Sequence, residues 1–129
     1  MQSTIPRTMR LITQDTFGGP EVLRLAEAPV PDPAPGEVLV AVTARGVNRV
    51  DVAVRAGYYP LLGEPPFTVG WDIAGRVAAL GEGVTDLEVG DRVFGLAAFP
   101  REARGYADLV AAPREELART PAKLDDVHA

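Results

Sequence analysis

Glu37-Val38-Leu39-Val40-Ala41-Val42-Thr43-Ala44 alternates Val38, Val40, Val42 and Ala44 with Leu39, Ala41 and Thr43. A strand turns successive side chains to opposite faces, and here both faces are largely apolar. The segment therefore predicts a strand buried on both sides, inside a barrel or sandwich. Outward from it, short apolar runs recur between Gly and Pro residues. Met9 to Ile12 predicts a first strand, Gly18-Gly19-Pro20 a turn, and Val22, Leu23 and Leu25 a second strand. Pro29, Pro31, Pro33 and Pro35 alternate up to Gly36 and predict a stiff, extended connector. Thr68 to Leu80, Arg92 to Leu96 and Tyr106 to Ala111 continue the strand pattern, with Gly70 and Gly75 marking close approaches of backbone or ligand. Such a series of short strands predicts a mainly β, barrel-like domain and not a doubly wound α/β sheet.

One interior helix interrupts the strands. Asn48 stands at its N-cap, Asp51 in its first turn, Val50 and Val54 share a face, and Gly57 offers a left-handed stop. At the far end Leu124 to Ala129 reads as the start of another helix, with Asp125 as cap. An isolated turn gains little from a cap, so this end is expected to lead into a following element. Residues 1–8 are expected to be a flexible lead-in. The whole of 1–129 is expected to be a single domain.

Composition narrows the chemistry. The 129 residues carry 13 Lys and Arg against 18 Asp and Glu, a formal charge of -5, which disfavours nucleic acid as a partner. There is no cysteine and His128 is the only histidine, so thiolate nucleophiles, Cys-ligated zinc and His-based triads or metal cages are excluded within this sequence. No stretch approaches the ~20 apolar residues that cross a bilayer, and a soluble, cytoplasmic protein is the expectation. Gly81-Glu82-Gly83 lacks a third glycine and precedes a strand, so it fails as a dinucleotide fingerprint.

Two stretches depart from the strand rhythm: Gly46 to Asp51, running on to Tyr58-Tyr59-Pro60, and Gly70-Trp71-Asp72-Ile73-Ala74-Gly75. They bring an amide (Asn48), two carboxylates (Asp51, Asp72), two phenols (Tyr58, Tyr59) and an indole (Trp71) into a short span, as suits a concave site with a few polar groups on apolar walls. Each also has a structural reading. Asn48 and Asp51 can cap a helix, the tyrosines can pack a loop, and Asp72 can satisfy backbone donors.

Arg24-Leu25, Glu37 to Val40, Gly46-Val47-Asn48 with Asp51, Gly70 to Gly75, and Val89-Gly90-Asp91-Arg92-Val93, in that order, resemble the amino-terminal domain of medium-chain dehydrogenases/reductases. The branch resembled is that of the zinc-free quinone oxidoreductases and enoyl reductases, and the resemblance runs from about Met9 to Ala129. It implies a GroES-like, partly open β-barrel with one or two short helices. In zinc-dependent relatives a cysteine lies near Gly46 and a His-Glu pair stands at Trp71 and Asp72; Trp71 cannot ligate zinc, so no metal is expected.

The resemblance implies hydride transfer from NADPH to a quinone, enone or enoyl-type C=C, with a small apolar carbonyl or quinone-like substrate. It implies that Asn48 lies beside the nicotinamide and acts in catalysis with Tyr59 and Asp51. Tyr59 would be the proton donor, since a phenol with a pKa of about 10 is protonated at neutral pH, and Asp51 would orient the helix. Tyr58, Tyr59, Trp71 and Asp72 form the implied substrate-binding set. Where many relatives carry a tyrosine within the helix, this sequence has Ala53. The Rossmann domain that follows in relatives is not in this sequence, so weak NADPH affinity and no reductase activity of the chain alone are expected. A homodimer remains open. The alternatives are a freestanding barrel that binds or rearranges a small apolar molecule without a cofactor, and an interaction module.

Overall fold

The computed structural model describes residues 5–129. Two strands, β1 (Thr8–Thr13) and β2 (Arg24–Pro29), pair antiparallel as a ribbon. Five more, β3 (Glu37–Arg45), β4 (Asp72–Leu80), β5 (Arg92–Leu96), β6 (Leu109–Pro113) and β7 (Leu117–Arg119), form an antiparallel sheet in the order β6-β3-β4-β5-β7. Residues 106–108 join the two. Ile12 N–H donates to Tyr106 O at 2.9 Å, Asp108 N–H to Arg10 O at 3.0 Å, and Val42 N–H to Asp108 O at 2.9 Å. The result is a curved, partly open barrel whose sheets do not close on each other.

β3 runs through the middle of the fold, and its two faces serve two cores. Val38 and Val40 pack with Val54, Phe67, Trp71, Val77, Val93 and Val110. Leu39 packs on the other side with Met9, Leu11, Ala107 and Leu109. Burying both faces is what the near-continuous apolar run dictates, since either one left in water would forfeit roughly 1.5–3 kcal/mol per large side chain. The β3–β4 register slips between Leu39 and Val40 and again between Val42 and Ala44. Gly75 sits there because a Cβ would lie 2.0 Å from the Ala41 carbonyl oxygen, which fulfils the close approach expected of it.

The helix α1 (Arg49–Ala56) begins after Asn48 and stops at Gly57, whose φ of 90° is left-handed. Its carboxyl end is tied to β1 by a residue the sequence did not single out. Gln14 is fully buried, and its Nε2 donates to Thr16 O at 2.9 Å and Arg55 O at 3.0 Å.

Several boundaries differ from expectation. Val22 lies in a one-turn 3-10 helix, Pro20–Val22, because Pro20 presets its φ; β2 starts at Arg24 and includes Pro29. Thr68 to Trp71 is buried but lies outside the ladder, and its carbonyls bind across to Gly105 and Tyr106. The last turn is a 3-10 helix, Asp126–His128, with the Asp125 side chain accepting from His128 N–H at 2.9 Å, as its capping role predicts. Of the expected lead-in, residues 1–4 lie outside the described residues, Arg7 O accepts from Val30 N–H at 3.0 Å, and Thr8 already pairs with Pro29.

Candidate functional site

The amino end of α1 meets the start of β4 at a pair of polar side chains. Asn48 Nδ2 donates to Asp72 Oδ2 at 2.7 Å. The backbone holds the same junction, with Gly46 N–H donating to Asp72 O at 3.1 Å. Asn48 thus precedes the helix as expected, and its amide nitrogen reaches across to the strand.

Asp51 lies one turn further on and is 2% exposed. Its Oδ2 accepts from Asn48 N–H at 3.1 Å, the arrangement expected of a carboxylate in the first turn, and from the Tyr106 hydroxyl at 2.8 Å. Its Oδ1 is buried without a partner among the described residues. Burial, reinforced by the hydrogen bond to Asp51 and by its negative charge, raises the Tyr106 pKa well above that of a free phenol. Tyr106 is therefore a donor at any physiological pH.

Gly70 makes room for that phenol. Its φ is +109°, and a Cβ there would lie 2.5 Å from Tyr106 Cδ1. Gly105 N–H and Tyr106 N–H donate to Gly70 O and Val69 O at 2.9 and 3.1 Å, locking the two segments side by side. Sequence reasoning missed Tyr106, since the pairing spans 55 positions and neither residue marks the other.

Beside this junction opens a cleft of about 720 Å³, walled by the ends of β3, β4 and β5 and by the last turn. Asp72 is on its lining, with Ile73, Phe94 and Leu96 as apolar groups, Arg45 and Asp126 as charged ones, and Val127 and Ala129 from the last turn. The last turn is pinned in place by Asp126, which accepts from the Thr43 hydroxyl and from Arg92 Nη2 and Nε, the latter two at 2.9 and 3.2 Å. The Thr43 hydrogen bond, outweighing the upward push of burial and joined by Arg92, holds the Asp126 carboxyl below the usual carboxylate range.

The other expected site residues fall elsewhere. Tyr58 and Tyr59 are 87% and 48% exposed, past the carboxyl end of α1, where both backbone N–H groups donate to Ala53 O. An eight-residue helix, about 12 Å long, separates them from Asn48. Trp71, expected in the substrate-binding set, is 1% exposed, donates from Nε1 to Arg101 O at 2.6 Å, and meets Phe99 edge-on at 5.4 Å. It is built into the core because its indole is apolar and its one donor is satisfied there. Among the described residues no three His, Cys, Asp or Glu side chains cluster to hold a metal. No helix among them is long and apolar enough to cross a membrane.

Residues 34–122 match the alcohol dehydrogenase GroES-like domain family. The chain is 40% identical over 124 residues to a quinone oxidoreductase of Lama guanicoe, covering 95% of this chain and 37% of that protein. It is 43% identical over 119 residues to a 2-haloacrylate reductase of a Burkholderia species, covering 86% and 34%. The structure of Escherichia coli quinone oxidoreductase complexed with NADPH superposes with a TM-score of 0.80 at 30% identity, covering 91% of this chain and 35% of that one. The chain thus spans little more than a third of the length of these relatives. It belongs to the alcohol dehydrogenase GroES-like domain family, on the zinc-free quinone oxidoreductase branch of the medium-chain dehydrogenases/reductases.

Proposed function

We propose that this chain forms the substrate side of a zinc-free, NADPH-dependent cytoplasmic reductase that adds hydride to a quinone, enone or enoyl-type C=C. The observation that carries the reading is the Asn48–Asp72 pair beside a cleft of about 720 Å³ whose lining mixes apolar Ile73, Phe94 and Leu96 with polar Thr43, Arg45 and Asp126. The relatives support it, since one is a quinone oxidoreductase, one a 2-haloacrylate reductase, and one a structure complexed with NADPH.

The residues fit one end of the cofactor. A carboxamide and a carboxylate beside an apolar wall suit the nicotinamide ring and its amide, whereas the described residues include no strand, glycine turn and helix arranged for a pyrophosphate. When bound, NADPH supplies the hydride. Asn48, held by Asp72, orients the reacting end. Ile73, Phe94 and Leu96 exclude water from one side of it. As the β-carbon gained hydride, the π electrons would move to the carbonyl oxygen and the completing proton would come from solvent at the open cleft. Tyr59 would not supply it, since it stands beyond the far end of α1 and is not on the cleft lining.

The test is a titration of the isotope-labelled chain with duroquinone, whose methylated ring resists alkylation, and separately with NADPH, followed by NMR. Duroquinone and NADPH should each shift Asn48 and Asp72, with NADPH binding weakly. Both sets of shifts should weaken in Asn48→Ala, whose amide is lost from the pair with Asp72. Shifts confined to surfaces away from Asn48 and Asp72 would overturn the reading. Duroquinone binding with no response to NADPH would favour a cofactor-free binding domain.

A further inference from the structure

We infer that Tyr106 is a positioning residue for the cleft, acting through Asp51 on Asn48. The inference rests on the reading of Asn48 as a group that faces cofactor or substrate. Three hydrogen bonds run in series from the interior to the cleft: Tyr106 hydroxyl to Asp51 Oδ2 at 2.8 Å, Asn48 N–H to the same Oδ2 at 3.1 Å, and Asn48 Nδ2 to Asp72 Oδ2 at 2.7 Å. Asp51 Oδ1 takes no share among the described residues. One oxygen of a buried carboxylate therefore serves both the phenol and the residue whose amide holds Asp72, on the cleft lining.

A carboxylate with a single occupied oxygen is held against rotation only by the donors on that oxygen. Of its two donors, the Tyr106 hydroxyl is anchored independently of α1. Its backbone is fixed by Ile12 on one side and Val69 on the other, and its ring lies against Gly70. Without the hydroxyl, Asp51 can turn about its Cβ–Cγ bond, Asn48 N–H loses a fixed acceptor, and the Asn48 side chain loses its aim at Asp72. Neither Tyr106 nor Asn48 is on the cleft lining; the series reaches it at Asp72, so the effect of Tyr106 on a ligand passes through these bonds.

Tyr106→Phe removes the hydroxyl and little else. Its expected signature is a displaced pair of Asn48 side-chain amide resonances, exchanging about tenfold faster with solvent, as for loss of one hydrogen bond to a charged group. Asp72→Ala should give the same signature. Duroquinone affinity should weaken about tenfold in Tyr106→Phe. A purely structural role would lower the melting temperature and leave the Asn48 amide signals as in the unmodified chain, and that result overturns the inference. A displaced Asn48 amide with unchanged duroquinone affinity would leave the Tyr106–Asn48 coupling standing and overturn instead the reading of Asn48 as ligand-facing. Should Tyr106→Phe not fold, the unmodified chain supplies the test. The Tyr106 hydroxyl proton should exchange slowly and cross-relax with the Asn48 backbone amide proton, and a fast-exchanging hydroxyl overturns the inference.

Discussion

Asn48 and Asp72, 24 positions apart, are joined side chain to side chain at 2.7 Å. The bond couples the entry of the only α-helix among the described residues to the first residue of a central strand. It is charge-assisted and therefore short, and it leaves the carboxamide little freedom to rotate.

Replacing that amide by a carboxylate, Asn48→Asp, sets two like charges at hydrogen-bond distance. We expect a loss of about 1–3 kcal/mol in urea unfolding at neutral pH, since an attractive bond to a charged group is replaced by repulsion. The second replacement Asp72→Asn in the same chain should recover most of it. No recovery would show that the two side chains do not interact.

Gly70→Ala meets both a strained φ and the Tyr106 ring. A loss of about 1–3 kcal/mol is expected from the backbone alone, with more if the ring cannot move aside. Thermal unfolding measures it. A companion spectrum should show the Tyr106 hydroxyl displaced from Asp51, and an unperturbed Tyr106 with native stability would contradict the packing described.

The last turn should respond to acid. The Asp126 pKa is lowered in the folded chain, so its stabilising contribution is present above the ordinary carboxylate pKa of about 4 and is lost as pH falls through the lower, folded value. NMR signals of Val127 should stay native down to about that unfolded value and then move toward those of a free peptide. Asp126→Asn should release the turn at neutral pH, because the Arg92 and Thr43 donors lose their charged acceptor.

Trp71→Phe removes the Nε1 donor to Arg101 and leaves space in the main core. The expected cost is about 2–4 kcal/mol, combining a lost hydrogen bond with an unfilled volume. Denaturant unfolding followed by far-ultraviolet circular dichroism is the suitable measurement, since the variant lacks the only tryptophan.

The parts of this structure that were readable from sequence are those governed by neighbours along the chain. The alternation in Glu37 to Ala44 dictates a strand with two buried faces, and both cores on either side of β3 follow from it. Asn48, Asp51 and Gly57 mark the helix because capping acts over three or four residues. What escaped is set by long-range encounter. Gln14 carries no local signal of total burial, and the pairing of Tyr106 with Asp51 needs the crossing of two segments at Gly70 and Gly105. Trp71 shows the converse error, since its proximity in sequence to Asp72 gives no hint that the whole run Thr68 to Trp71 is buried and that its indole is held by Arg101 O from a distant loop.

Ala129 lies on the wall of the cleft, and Asp126 fastens the preceding turn to β3 and β5 through Thr43 and Arg92. Whatever is joined to this residue, an affinity tag or a fluorophore included, starts at the cleft mouth and is directed by that fastening. Ligand titrations on protein labelled at this end would measure competition with the label, so handles belong at the opposite terminus.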